Sequence, residues 1–161
     1  MAIVDLDKDG RPDVVINNNN DAPTIYLNRL PATGNWFRCN LVGAAGKDGS
    51  NPDALGARVT VRATISGGPR QLVRWVEAGS GYATQSEATL HFGLGDSRSL
   101  DGLMIAWPSG TTQEIAGKDL KGLLNRECTI VENRGMIPLE GAAGESTPGG
   151  HPATPDVPSP R

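Results

Sequence analysis

The sequence predicts an all-β protein, a small β-sandwich or barrel of seven to eight strands preceded by a short acidic hairpin. Three observations predict it. Apolar residues alternate over short stretches; 21 glycines and 12 prolines fall largely between or after those stretches; and nothing repeats at helical spacing over three turns. Alternation sends every second side chain to one face of a pleated strand, whereas Gly and Pro weaken helix interiors and favour tight turns.

Residues 1–34 read as loop, strand, turn, strand. Strand-like Ala2–Val4 runs into an acidic loop, Asp5-Leu6-Asp7-Lys8-Asp9-Gly10-Arg11-Pro12-Asp13, followed by the apolar run Val14–Ile16. An Asn-rich turn, Asn17–Asp21, precedes a second run, Thr24–Leu27. Residues 35–134 form the main domain. Strands are predicted over 36–42, 57–65, 70–77, 81–85, 88–93, 101–107 and 111–116, with 126–132 closing as an eighth. The alternation is clearest at 57–63, where Ala57, Val59, Val61 and Ala63 share one face and Arg58, Thr60 and Arg62 the other. Leu103–Trp107 ends at Pro108-Ser109-Gly110, a turn in which Pro presets φ and Gly accepts a positive one. Residues 118–124 suit a single helical turn. Residues 135–161 are rich in Gly, Pro, Ala, Ser and Thr without apolar periodicity, the composition of a flexible tail.

Bulk properties narrow the function classes. At 161 residues and 16.9 kDa the chain can bury one ordinary core. Its net charge of −3, with no basic block, lacks the electrostatic footprint of a nucleic-acid binder. Without eighteen consecutive apolar residues, no transmembrane helix is expected. Met1–Val4 is too short for a secretory leader, so no signal peptide is read; the immediate start on a strand suits a fragment or a processed form.

Cys39 and Cys128 match no metal-ligand spacing. Cys39 alternates with Phe37 and Leu41, and Cys128 with Ile130, so both thiols are expected in the core. Two readings stand: buried free thiols in a reducing compartment, or a disulfide between first and last core strands in a secreted protein.

The acidic loop carries the sharpest chemical signal. Asp5, Asp7, Asp9 and Asp13 occupy positions 1, 3, 5 and 9, with Gly10 at position 6 and the main-chain carbonyl of Arg11 at position 7. Calcium takes six to eight hard oxygens, and side chains at alternate positions wrap several carboxylates about one point while Gly permits the bend. The bidentate Glu of an EF-hand is missing, and Val14–Ile16 lead out into a strand. With no activating base or nucleophile nearby, the metal reads as structural; the rival is an acidic solvated turn.

Elsewhere the bland readings prevail. His91 flanks Phe92 on a strand and suits a hydrogen-bonded structural role, with no Ser-His-Asp or Cys-His arrangement legible. Trp36, Trp75 and Trp107 read as core or rim packing, an exposed one being the exception that would point to sugar stacking. Tyr82, Gln85 and Ser86 suit either a glycan or peptide groove or ordinary strand bonding. Lys47–Asp53 is oxygen-rich but irregularly spaced, as in a turn.

Two stretches resemble known families. Asp5–Asp13 with Val14-Val15-Ile16-Asn17-Asn18 and Ile25-Tyr26-Leu27-Asn28 resembles one FG-GAP/VCBS repeat, the calcium-binding blade motif of integrin α-type propellers. Leu55-Gly56-Ala57-Arg58-Val59, Gly79-Ser80-Gly81-Tyr82, Gln85-Ser86, Leu90-His91-Phe92-Gly93-Leu94-Gly95 and Trp107-Pro108-Ser109-Gly110 resemble the ASPIC/UnbV domain, over about residues 35–133. The resemblance implies an extracellular, calcium-associated all-β protein, an adhesion or matrix module, and carries no known enzymatic activity with it; a non-enzymatic module is expected. A single repeat cannot close a propeller of at least four blades. Its unpaired strands would then pack on the following domain, remain partly open or join another chain, the last giving a filament through the N-terminal strands. Expected partners are further copies, another extracellular protein or a glycan. The alternative is a carbohydrate-binding module beside an enzyme or receptor.

Overall fold

The computed structural model describes residues 1–31, 33–79 and 81–138. Its strands fall into three sheets. The first is small and antiparallel: β1 (Ala2–Val4), β2 (Asp13–Ile16) and β3 (Thr24–Tyr26), in that order. The other strands are β4 (Asn35–Val42), β5 (Arg58–Ile65), β6 (Gly68–Trp75), β7 (Leu90–Gly95), β8 (Gly102–Ala106), β9 (Thr112–Ala116), β10 (Arg126–Val131) and β11 (Gly135–Pro138). They form two four-stranded sheets, β11-β10-β4-β7 and β6-β5-β8-β9. Neither closes into a barrel. The protein is an all-β sandwich with a small hairpin-like sheet at its N-terminus.

Side-chain alternation builds the core. Phe37, Cys39, Leu41, Phe92, Cys128 and Ile130 come from one sheet, and Val59, Val61, Ala63, Leu103 and Ile105 from the other, all buried. Each fully buried Leu, Ile, Val or Phe contributes about 1.5–3 kcal/mol of transfer free energy. The turn between β5 and β6, Ser66-Gly67, has positive φ at both residues, which matches the twist of a two-residue hairpin. Pro69 lies on β6, an edge strand, where a missing N–H costs least.

The register differs from the predicted strands in three places. Residues 81–85 make only an isolated bridge, Gly81 to Thr84, because Ala83 sits at φ +49, outside strand geometry. The expected helical turn is a 3-10 turn at Gly117–Leu120. Gly135–Pro138, the first residues of the expected tail, pair with β10 as β11; residues 139–161 of that tail lie outside the described residues. The closeness of first and last core strands that the disulfide reading required is present, but with both thiols free and in a parallel pairing that was not anticipated. β4 and β10, first and last of the predicted core strands, lie side by side in parallel, with Cys39 directly opposite Cys128.

The small sheet is attached differently. Among the described residues, no apolar side chain before Phe37 is fully buried, whereas Asp5 and Asp13 are. Polar contacts, not a shared core, hold it to the sandwich.

Candidate metal centre

The loop between β1 and β2 folds around its own aspartates. Asp5 accepts the backbone N–H groups of Asp9 (3.1 Å) and Gly10 (2.9 Å). Asp13 accepts those of Leu6 (2.9 Å) and Asn28 (2.7 Å), and these bonds hold its carboxyl below the usual range. Lys8 (φ +57) and Gly10 (φ +84) supply the left-handed backbone that turns the chain. Gly10 has a second reason to lack a side chain. A Cβ there would lie 2.1 Å from the indole of Trp36, which lies against the loop at this point.

Three of the expected ligands converge. Asp5, Asp7 and Asp13 each offer one carboxylate oxygen, and these lie within 4.8 Å of one another. Oxygens on opposite sides of a calcium ion, each at 2.3–2.6 Å, are separated by about that distance. Two unit charges 4.8 Å apart repel by about 3 kcal/mol at an effective dielectric of 20, a cost that a shared cation offsets. The donor set is all hard oxygen, so the residues fit calcium. Asp9 stands apart from the cluster: its carboxylate pairs with the Arg11 guanidinium and accepts the Arg11 N–H (2.9 Å). Asp7 also meets Arg29 at 2.7 Å in an exposed pair.

Arg38 is the residue that sequence reasoning passed over. It lies on the outward face of β4 with a side chain only 3% exposed. Its guanidinium pairs with Asp5 of the loop, with Glu87 (2.7 Å) and with Glu127 of β10 (3.2 Å). Glu87 in turn accepts the Asp5 N–H at 3.3 Å. The loop is thus bolted to the sandwich through a charge cluster of four residues. His91 adds a contact, its Nε2 donating to the Gly10 carbonyl at 2.8 Å while the ring stacks beside Trp36. Burial lowers its pKa, in keeping with a neutral imidazole. That is the structural role expected of it.

A strap completes the attachment. Residues 84–87 run along the free side of β1: Ile3 donates to Ser86 Oγ (3.2 Å), its carbonyl accepts the Glu87 N–H (3.1 Å), and Thr84 bonds the Met1 carbonyl. Ser86 is therefore a strap residue, while Tyr82 is fully exposed. The Lys47–Asp53 loop makes no metal cluster among the described residues. Its Ser50 instead binds Glu132, a carboxylate 1% exposed that accepts bonds from Ala44 N, Ser50 N, Ser50 Oγ, Ser109 Oγ and Thr111 Oγ1. These donors outweigh desolvation and hold Glu132 at about 2. Trp107 is buried and bonds Gln113, and Trp36 covers the loop. Trp75 does not pack as expected, being 52% exposed on the outer face of β6.

Comparison with known proteins places the sandwich. The family model described as ASPIC and UnbV matches residues 46–135, from the loop after β4 to the start of β11. Cartilage acidic protein 1 of Xenopus tropicalis is 28% identical over 129 residues, covering 77% of this chain and 18% of that protein. The chain thus spans less than a fifth of the length of that relative. With more than half its residues matched, a stretch that carries strands of both sandwich sheets, the chain belongs to the ASPIC and UnbV family.

Proposed function

We propose that this chain is a non-enzymatic, calcium-stabilised extracellular module of adhesion or matrix assembly. One observation carries the reading. Asp5 belongs to the converging carboxylates and also pairs with Arg38 of the sandwich, so an ion held there would fasten the small sheet to the domain. In this reading Asp5, Asp7 and Asp13 hold Ca2+ directly, and Asp9 and the Arg11 carbonyl are further donors of the same FG-GAP/VCBS-like loop. The extracellular setting is drawn from the name of the relative, cartilage acidic protein 1. The non-enzymatic reading is supported by the commitments of the reactive groups: His91 donates to Gly10, and both thiols are buried.

The same reading includes self-assembly through the small sheet. β1 is covered by the strap, whereas β3 lies at the opposite edge with Ile25, Tyr26, Leu27 and Leu30 exposed. Such an edge is a template for strand addition by a further copy, and head-to-tail addition gives an open filament. Calcium is tested by melting the protein in calcium and in EGTA; an unchanged Tm overturns that part. Assembly is tested by light scattering and negative-stain imaging of the native protein and of Ile25→Lys. Filaments lost on substitution support it, and a native monomer at all concentrations overturns it.

A further inference from the structure

The half-bare indole of Trp75 borders a cleft of about 160 Å3 at the seam where β6 and β7 form edges of opposite sheets. Glu77, Gly79, Ser86, Glu87 and Leu90 line it with Trp75. We propose that this cleft binds a neutral saccharide, with one pyranose ring stacked on Trp75. The proposal takes its setting from the adhesive reading above, but its chemistry stands apart from the calcium loop.

Each wall supplies something a sugar ring needs. The indole offers a flat apolar surface for the C–H face of a pyranose, the geometry that favours aromatic platforms over aliphatic ones. Leu90, 8% exposed, closes the apolar side. Hydroxyl groups find both donors and acceptors. Ser86 Oγ accepts the Ile3 N–H, leaving its own proton to donate outward. Glu77 is exposed and makes no ion pair among the described residues, so its carboxylate is an acceptor for paired hydroxyls.

Charge selects among ligands. The second carboxylate in the wall, Glu87, shares the single positive charge of Arg38 with Asp5 and Glu127. Among the described residues, no lysine, arginine or histidine lines the cleft beside Glu77. A lining whose charged side chains are both carboxylates repels a sulfated or uronic sugar and leaves the uncharged ones. The wall is also pre-ordered, because Ser86 and Glu87 are fastened by two hydrogen bonds to Ile3 of β1 and one to Asp5 of the loop beyond it.

The probes are neutral disaccharides (cellobiose, maltose, lactose and chitobiose), titrated by ligand-observed NMR and tryptophan fluorescence in calcium and in EGTA. At least one is expected to bind, weakly, at millimolar concentration. Trp75→Ala should weaken it about tenfold or more, Trp75→Tyr only slightly, and Glu77→Gln severalfold. Should Trp75→Ala lower the Tm, the comparison of Trp75→Tyr with Trp75→Leu carries the test, since only Tyr keeps the platform. Absence of binding by all four sugars, binding indifferent to Trp75, or tighter binding of a sulfated or uronic analogue overturns the proposal. Trp75-dependent binding in both media without a calcium shift in Tm overturns the calcium reading alone. A calcium shift without sugar binding does the reverse.

Discussion

Arg38 and Asp5 form an ion pair whose side chains are 3% and 0% exposed, one on the first core strand and the other in the N-terminal loop. Arg38 also holds Glu87 and Glu127, so its removal leaves three carboxylates facing one another without a counter-charge. Breaking a buried pair by deleting one partner costs about 3–5 kcal/mol. Arg38→Met should therefore lower stability by about that amount, read as a fall in the urea midpoint at constant slope.

Calcium should act through three aspartates unequally assisted by a fourth. At a free concentration a hundred times the dissociation constant, a single site adds about 2.7 kcal/mol to folding. Asp5→Asn and Asp13→Asn should abolish the resulting rise in Tm. Asp9→Asn should retain most of it, since that carboxylate faces Arg11. Isothermal titration with calcium, compared across the three variants, gives the order directly.

Glu132 should make the fold acid-sensitive over a defined window. Its carboxyl is held at about 2 in the folded state, against 4.5 for the free group. The unfolded chain thus binds the proton more tightly between those values, and stability falls as pH drops from about 4.5 towards 2. Above that window the contribution is fully present. Glu132→Gln keeps an acceptor for the Ala44 and Ser50 amides and should cost about 1–2 kcal/mol, whereas Glu132→Ala orphans buried donors and should cost about 3–5 kcal/mol. The wild type should lose more stability than the Gln variant between pH 5 and pH 3, measured by urea melts at each pH.

The two thiols should be chemically silent while the domain is folded. Burial pushes Cys39 well above its ordinary value and Cys128 up to about 12, so neither forms the reactive thiolate near neutral pH. Both are free and fully buried. A thiol reagent should label them only after denaturation, counted by mass spectrometry; rapid labelling under native conditions would contradict the core placement.

What could be foreseen was local. The alternation at 57–63 and the turn after Trp107 depend on neighbours in sequence and fold as their residues suggest, whereas of the spaced aspartates Asp5, Asp7 and Asp13 converge and Asp9 pairs with Arg11. Arg38 was invisible because an arginine between Phe37 and Cys39 reads as an ordinary outward side chain; only the arrival of Asp5, Glu87 and Glu127 buries it. Glu132 likewise reads as a solvated acid until the β4–β5 loop and the β8–β9 turn close over it. Trp75 fails in the opposite direction, since alternation cannot tell an edge strand with a bare outer face from one that is covered.

The parallel pairing of β4 with β10 has a kinetic consequence. A ribosome releases β4 early, and its partner emerges only after almost the entire sandwich has been made. Until then one flank of β4 is an uncapped row of amides and carbonyls, and half the inner face of its sheet is bare. Closing so long a loop must precede any reward from the contact, which puts folding in the slow, millisecond-to-second range of non-local β topologies. A nascent chain stalled before Arg126 should accordingly be a substrate for chaperones and proteases, and the domain should become resistant only once its last strands have docked.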